Sequence, residues 1–140
     1  MRCRHAFVLL FVAVACSHEA DAARGGAADP LAAVGLDGGK RWRADDHTRE
    51  ILAKMRAAVQ AAANDKSPAS TKALATQMQG LGNELIGGCT MTGPAHEALH
   101  AYLGVLLPGF HRMGEDDAGR AQQARGEVAV VLGRFDEFFQ

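Results

Sequence analysis

From residue 45 to the C-terminus, apolar side chains recur at steps of three and four, in four stretches separated by polar or glycine-containing breaks. The first stripe is His47, Ile51, Met55, Ala58 and Ala62, opened by Asp45 or Asp46 as N-cap and closed by the polar run from Asn64 to Pro68. The second starts near Ser70 and carries Leu74, Met78, Leu81 and Leu85 before Gly87-Gly88 breaks the period. The third opens at Thr92-Gly93-Pro94, where proline is tolerated in a first helical turn. Its stripe, His96, Leu99, Leu103, Leu106, Phe110 and Met113, stays in phase across Pro108, which predicts a kink within one helix rather than a boundary. The fourth starts around Asp116-Asp117 and carries Ala124, Val128, Val131, Phe135 and Phe138. Such spacing suits helices packed at a shallow angle, and short connections make neighbours antiparallel. The pattern predicts an all-α fold, an antiparallel up-down-up-down four-helix bundle over residues 44–140.

Composition agrees with this. Hydrophobic residues make up 48% of the 140 but aromatic ones only 6%, and the helix formers Ala and Leu supply much of the apolar mass. β-Branched runs are scarce beyond the first residues, which argues against a sandwich, barrel or parallel sheet. Lys and Arg total 15 against 16 Asp and Glu, so there is no basic excess to neutralise phosphates, and nucleic acid is not an expected partner.

The first residues follow a different pattern. Arg2 and Arg4 precede an apolar stretch from Ala6 to Ala15, too short to span a bilayer and suited to the core of a secretory signal. It ends Ala13-Val14-Ala15-Cys16, which looks like a bacterial lipobox. Residues 1–15 are then a lipoprotein signal peptide, and Cys16 carries the lipid, palmitate included. The alternative is an ordinary signal peptide cut after Ala15 or near Ala23. Residues 16–43, rich in Ala and Gly with Gly38-Gly39 interrupting, read as a flexible tether to the membrane, and Trp42 as the point where the chain first packs. With Cys3 removed and Cys16 lipidated, Cys89 is the single free thiol in an oxidising compartment, expected to be the bacterial periplasm.

The predicted topology gathers chemistry at one end. The start of helix 1 lies beside the end of helix 2, the start of helix 3 and the end of helix 4. His47, Cys89, Met91, His96 and His100 all fall there, with Phe135, Phe138 and Phe139 expected to shield them. His96 and His100 are one turn apart on one helix, the spacing of a chelating pair. Thiolate, thioether and imidazole select a soft ion, so Cu(I) is the expected metal, with zinc second; calcium and magnesium prefer oxygen. Singly, each residue has a plainer reading, since a histidine on an apolar stripe is usually core and a buried cysteine is usually packing. Their convergence points to an ion. Met55, Met78 and Met113 fall away from that end and read as core, whereas His18 and His111 read as tether and surface.

His96-Glu97-Ala98-Leu99-His100 also matches H-E-x-x-H, in which two histidines bind zinc and the glutamate activates water. The extended peptidase motif would need Gly and His where this chain has Leu103 and Leu106, and no strand precedes the helix. The match reads as coincidence, and no enzyme activity is expected. A wider likeness covers nearly the whole domain. Gly39-Lys40-Arg41-Trp42, the helix with His47, and the run from Cys89 to His100 resemble a family of small, mostly uncharacterised bacterial lipoproteins. Their shared pattern is K-W near the start and C-x-M-x-G-x-x-H-x-x-L-H in the middle. The bundle is also similar to periplasmic cytochromes, although C-x-x-C-H is missing, and b-type haem held by His and Met is a lesser alternative. These readings point to a membrane-tethered periplasmic protein that buffers, delivers or senses Cu(I), with the envelope membrane and a metal-handling protein as partners. The rival is a metal-free structural or adaptor lipoprotein.

Overall fold

A computed structural model describes residues 28–140. The signal peptide, Cys3, Cys16, His18 and the first part of the tether lie outside the described residues. Among the described residues the chain is all-helical, with four long helices and one final turn. These are α1 (Asp46–Ala61), α2 (Pro68–Gly88), α3 (Gly93–Met113), α4 (Ala118–Gly133) and α5 (Phe135–Phe138).

Local chemistry sets the boundaries. Asp45, Ser67 and Asp117 are N-caps whose side chains accept from the amides of Thr48, Ser70 and Arg120. Thr92 caps α3 by backbone alone, and Gly93 takes φ +61°, a left-handed value that favours glycine, as the chain turns into the helix. Pro108 lies inside α3, which continues through it as the unbroken stripe requires. The fourth stripe behaves differently. Its helix stops at Gly133, and Phe135 and Phe138 belong to the separate turn α5. The break falls at Arg134, whose guanidinium is claimed by Asp29 and Glu137.

The stripes face one core. Ile51 and Met55 of α1, Met78 and Leu85 of α2, Leu99, Leu106 and Phe110 of α3, and Leu132 of α4 are all buried. Met113 is buried as well, so all three methionines read as core are core. Two glycines permit close helix approach. A Cβ on Gly109 would lie 2.5 Å from Val128 Cγ2, and one on Gly82 would lie 3.1 Å from Leu107 Cδ2.

The tether does not extend to residue 43. Leu31 and Val34 are buried in the core, at 0% and 4% exposure, so the chain meets the bundle well before Trp42. Asp29 anchors this arm through two bonds to Arg134, at 2.7 and 2.9 Å, and that guanidinium holds its carboxyl down at about 2. Further on, Trp42 exchanges backbone bonds with Phe138 and Gln140, and Ala44 donates to Gln140. The arm and the C-terminus are therefore laced together.

The end of the bundle holding the α1–α2 connection is built around a buried cation. Arg125, only 7% exposed, reaches from α4 to the carbonyls of Ala62 and Asp65 and to the Thr71 hydroxyl. Gln122 adds bonds to Lys66 O and Thr71 Oγ1. The guanidinium adds a charged donor to carbonyls at the end of α1, where the helix dipole favours positive charge.

Candidate metal centre

The opposite end contains the residues singled out for chemistry. Residues 89–92 form a short non-helical link between α2 and α3, with Cys89 in extended backbone as the C-cap of α2. Helix α3 then presents His96 and His100 one turn apart. Cys89 Sγ lies 3.7 Å from His96 Nδ1, and His96 Nε2 lies 2.8 Å from His100 Nε2. Cys89 and His96 are half-buried, and His100 is exposed. Helix spacing places the histidines together, and the tight α2–α3 link returns the thiol to them.

Whether one ion can use all three is a matter of geometry. A tetrahedral ion with sulfur at ~2.3 Å and nitrogen at ~2.0 Å separates those donors by about 3.6 Å, and separates two nitrogens by about 3.3 Å. The Cys89–His96 distance fits the first bite closely. The His96–His100 distance is that of a hydrogen bond, and that pair would have to open to share an ion. The two nitrogens of one imidazole also point away from each other, so an ion on the Cys89 edge of His96 cannot lie on its His100 edge. Cys89, His96 and His100 thus offer two alternative bites rather than one three-donor site. No group of three His, Cys, Asp or Glu side chains positioned for an ion occurs among the described residues.

The other two predicted ligands have partners of their own. His47 Nε2 is 3.0 Å from Glu84 O, and its ring lies against Gly88, where a Cβ would overlap it. Gly88, read from sequence as a helix breaker, is therefore also the floor under an imidazole. Met91 Sδ is 3.9 Å from Thr48 Oγ1. Phe135 and Phe139 stack at 4.7 Å and pack edge-on against Tyr102, while Arg56 and Arg134 sit over Phe135 and Phe138. These rings close the core beneath the C-terminus, and their stacking partners are one another and Tyr102 rather than His96 or His100.

Asp45 was legible only as a cap, yet it does more. Its Oδ1 accepts from Thr48 N at 2.7 Å, while its Oδ2 accepts from Thr90 N at 2.6 Å and Thr90 Oγ1 at 2.7 Å. Burial pushes this carboxyl up, but the bonds from Thr48 and Thr90 outweigh it and hold it well below the usual carboxylate range. No local signal in the sequence marks this second set of bonds, because Asp45 and Thr90 are 45 positions apart. His111 and Glu97 are exposed, and among the described residues no helix is long and apolar enough to cross a membrane. No protein-family model, curated protein or solved structure matches the chain.

Proposed function

We propose that the chain is an envelope-tethered metal-binding protein that holds Cu(I) between Cys89 and His96, at the α2–α3 end of an antiparallel up-down-up-down bundle. The observation that carries this reading is the 3.7 Å separation of Cys89 Sγ and His96 Nδ1, a bite suited to one ion. A thiolate with an imidazole favours a soft ion over calcium or magnesium. The antiparallel order is supported by polar contacts: the start of α1 meets the end of α2 through His47 and Glu84, and passing back along α1 from Ala62 to Arg56 runs forward along α4 from Arg125 to Leu132.

In this arrangement His100 orients His96 through its far nitrogen, as a hydrogen-bond partner commonly does for a metal-bound imidazole. Met91 is a further neutral donor, held only by a weak contact from Thr48. His47 stays with Glu84 and supports the end of α2. The half-buried thiol and exposed His100 leave the site open to exchange, which suits buffering or delivery to a metal-handling partner. The lipid on Cys16 would keep it at the envelope membrane. The protein acts by binding, not catalysis.

The test is the metal content of protein isolated from the bacterial envelope, wild type beside Cys89→Ser. The expected result is about one copper per wild-type chain and none in the variant. Zinc retained by both would assign the ion to the His96–His100 bite and overturn the copper reading.

A further inference from the structure

We infer that Asp45 is the positioning residue of this centre, fixing the link that carries Cys89 by bonding Thr90 at its middle. The inference rests on the copper reading above. Residues 89–92 have no helical hydrogen bonds of their own to set the height of Cys89 against His96. What holds them is the first turn of α1. Asp45 Oδ2 takes both the amide and the hydroxyl of Thr90, and the buried Thr48 hydroxyl contacts Met91 Sδ. A carboxylate is required because two acceptor oxygens are used at once, Oδ1 for the α1 cap and Oδ2 for the link. Asn would keep one acceptor, and Asn caps a helix as well as Asp does, but its amide nitrogen cannot accept from the Thr90 amide. Asp45→Asn therefore separates the two tasks: the helix keeps its cap and the link loses its anchor.

The bite tolerates little movement. Sγ and Nδ1 already stand near the ~3.6 Å that one ion needs, and slack at Thr90 moves the thiol while His96 stays fixed on α3. Outer partners of this kind change metal affinity by about 10- to 100-fold when removed.

The experiment is a competition titration with Cu(I) under reducing conditions, following the thiolate-to-copper absorption, on wild type, Asp45→Asn, Thr90→Val and Asp117→Asn. Asp117 caps α4 through the same kind of bond but takes no part in the link. Asp45→Asn should weaken Cu(I) binding about tenfold or more and alter the absorption band, with Thr90→Val shifting affinity in the same direction by less. Asp117→Asn should leave affinity and band at wild-type values, which separates positioning from helix stability. If Asp45→Asn does not fold, Thr90→Val decides. Wild-type affinity in both Asp45→Asn and Thr90→Val, with wild type binding copper, overturns the positioning role alone. Wild type that takes no Cu(I) overturns the copper reading, and this inference with it.

Discussion

Arg125→Met should lower the thermal midpoint by roughly 15 °C, the largest stability loss expected from any single polar side chain in the bundle. Methionine reproduces the apolar stem of arginine as far as its Nε, so the packing of the stem is largely kept. What disappears is the fork that spans Ala62 O, Asp65 O and Thr71 Oγ1. Hydrogen bonds from a charged donor contribute about 1.5–3 kcal/mol each, and although Ala62 O keeps the Asp65 amide, Asp65 O loses its side-chain donor. Not all of that is lost, because Gln122 still donates to Thr71. A net loss of about 3 kcal/mol is the reasonable sum, and a domain of this size shifts about 4–5 °C per kcal/mol. Arg125→Lys should recover little, since a point charge cannot reach three acceptors laid out for a planar fork. Thermal melts followed by helical circular dichroism check both. A midpoint within about 3 °C of wild type for Arg125→Met would mean that the α1–α2 turn is held by packing alone.

Cys89→Ser should weaken Cu(I) binding by about 100-fold or more, because it exchanges an anionic soft donor for a neutral hard one while keeping the shape. His96→Ala should do the same by removing the other half of the bite. His100→Ala should cost about tenfold, as removal of an orienting partner does. The order of these effects separates the two uses of His96. If the ion sat between the histidines, His100→Ala would match His96→Ala and Cys89→Ser would bind normally. Folding should not confuse the comparison. All three side chains lie outside the buried core, and the helices are set by Ile51, Met78, Leu99, Leu132 and their neighbours. Chelation should likewise leave the helical circular dichroism intact, in contrast to small zinc domains that unfold without their ion.

Much of the fold was legible in the sequence, for a specific reason. Steps of three and four from Ile51 to Met113 are a direct image of helix faces, and the caps at Asp45 and Asp117 mark where those faces begin. Leu31 and Val34 were missed because a single apolar pair one turn apart, in an Ala- and Gly-rich stretch, has no period to detect. The stop at Arg134 was missed because Phe135 and Phe138 continue the apolar period straight across it, so the stripe carries no mark of the break.

The site divides along the same line. His96 and His100 share a helix, and Cys89 is seven residues from His96, so their meeting follows from local geometry. The partners of His47 and Met91 lie across the bundle, at Glu84 and Thr48, and only the packed structure reveals them. Spacing along the chain could show which donors share an end of the bundle. It could not show which edge of the His96 ring each neighbour takes, and that edge decides how many of them one ion can use.

X-ray absorption at the copper edge, on protein loaded with Cu(I), reads the donors around the ion directly. Copper held between Cys89 and His96 gives both sulfur at about 2.2–2.3 Å and imidazole nitrogen at about 2.0 Å, the sulfur contribution falling away in Cys89→Ser. A shell of nitrogen and oxygen alone, the same in wild type and Cys89→Ser, would contradict it.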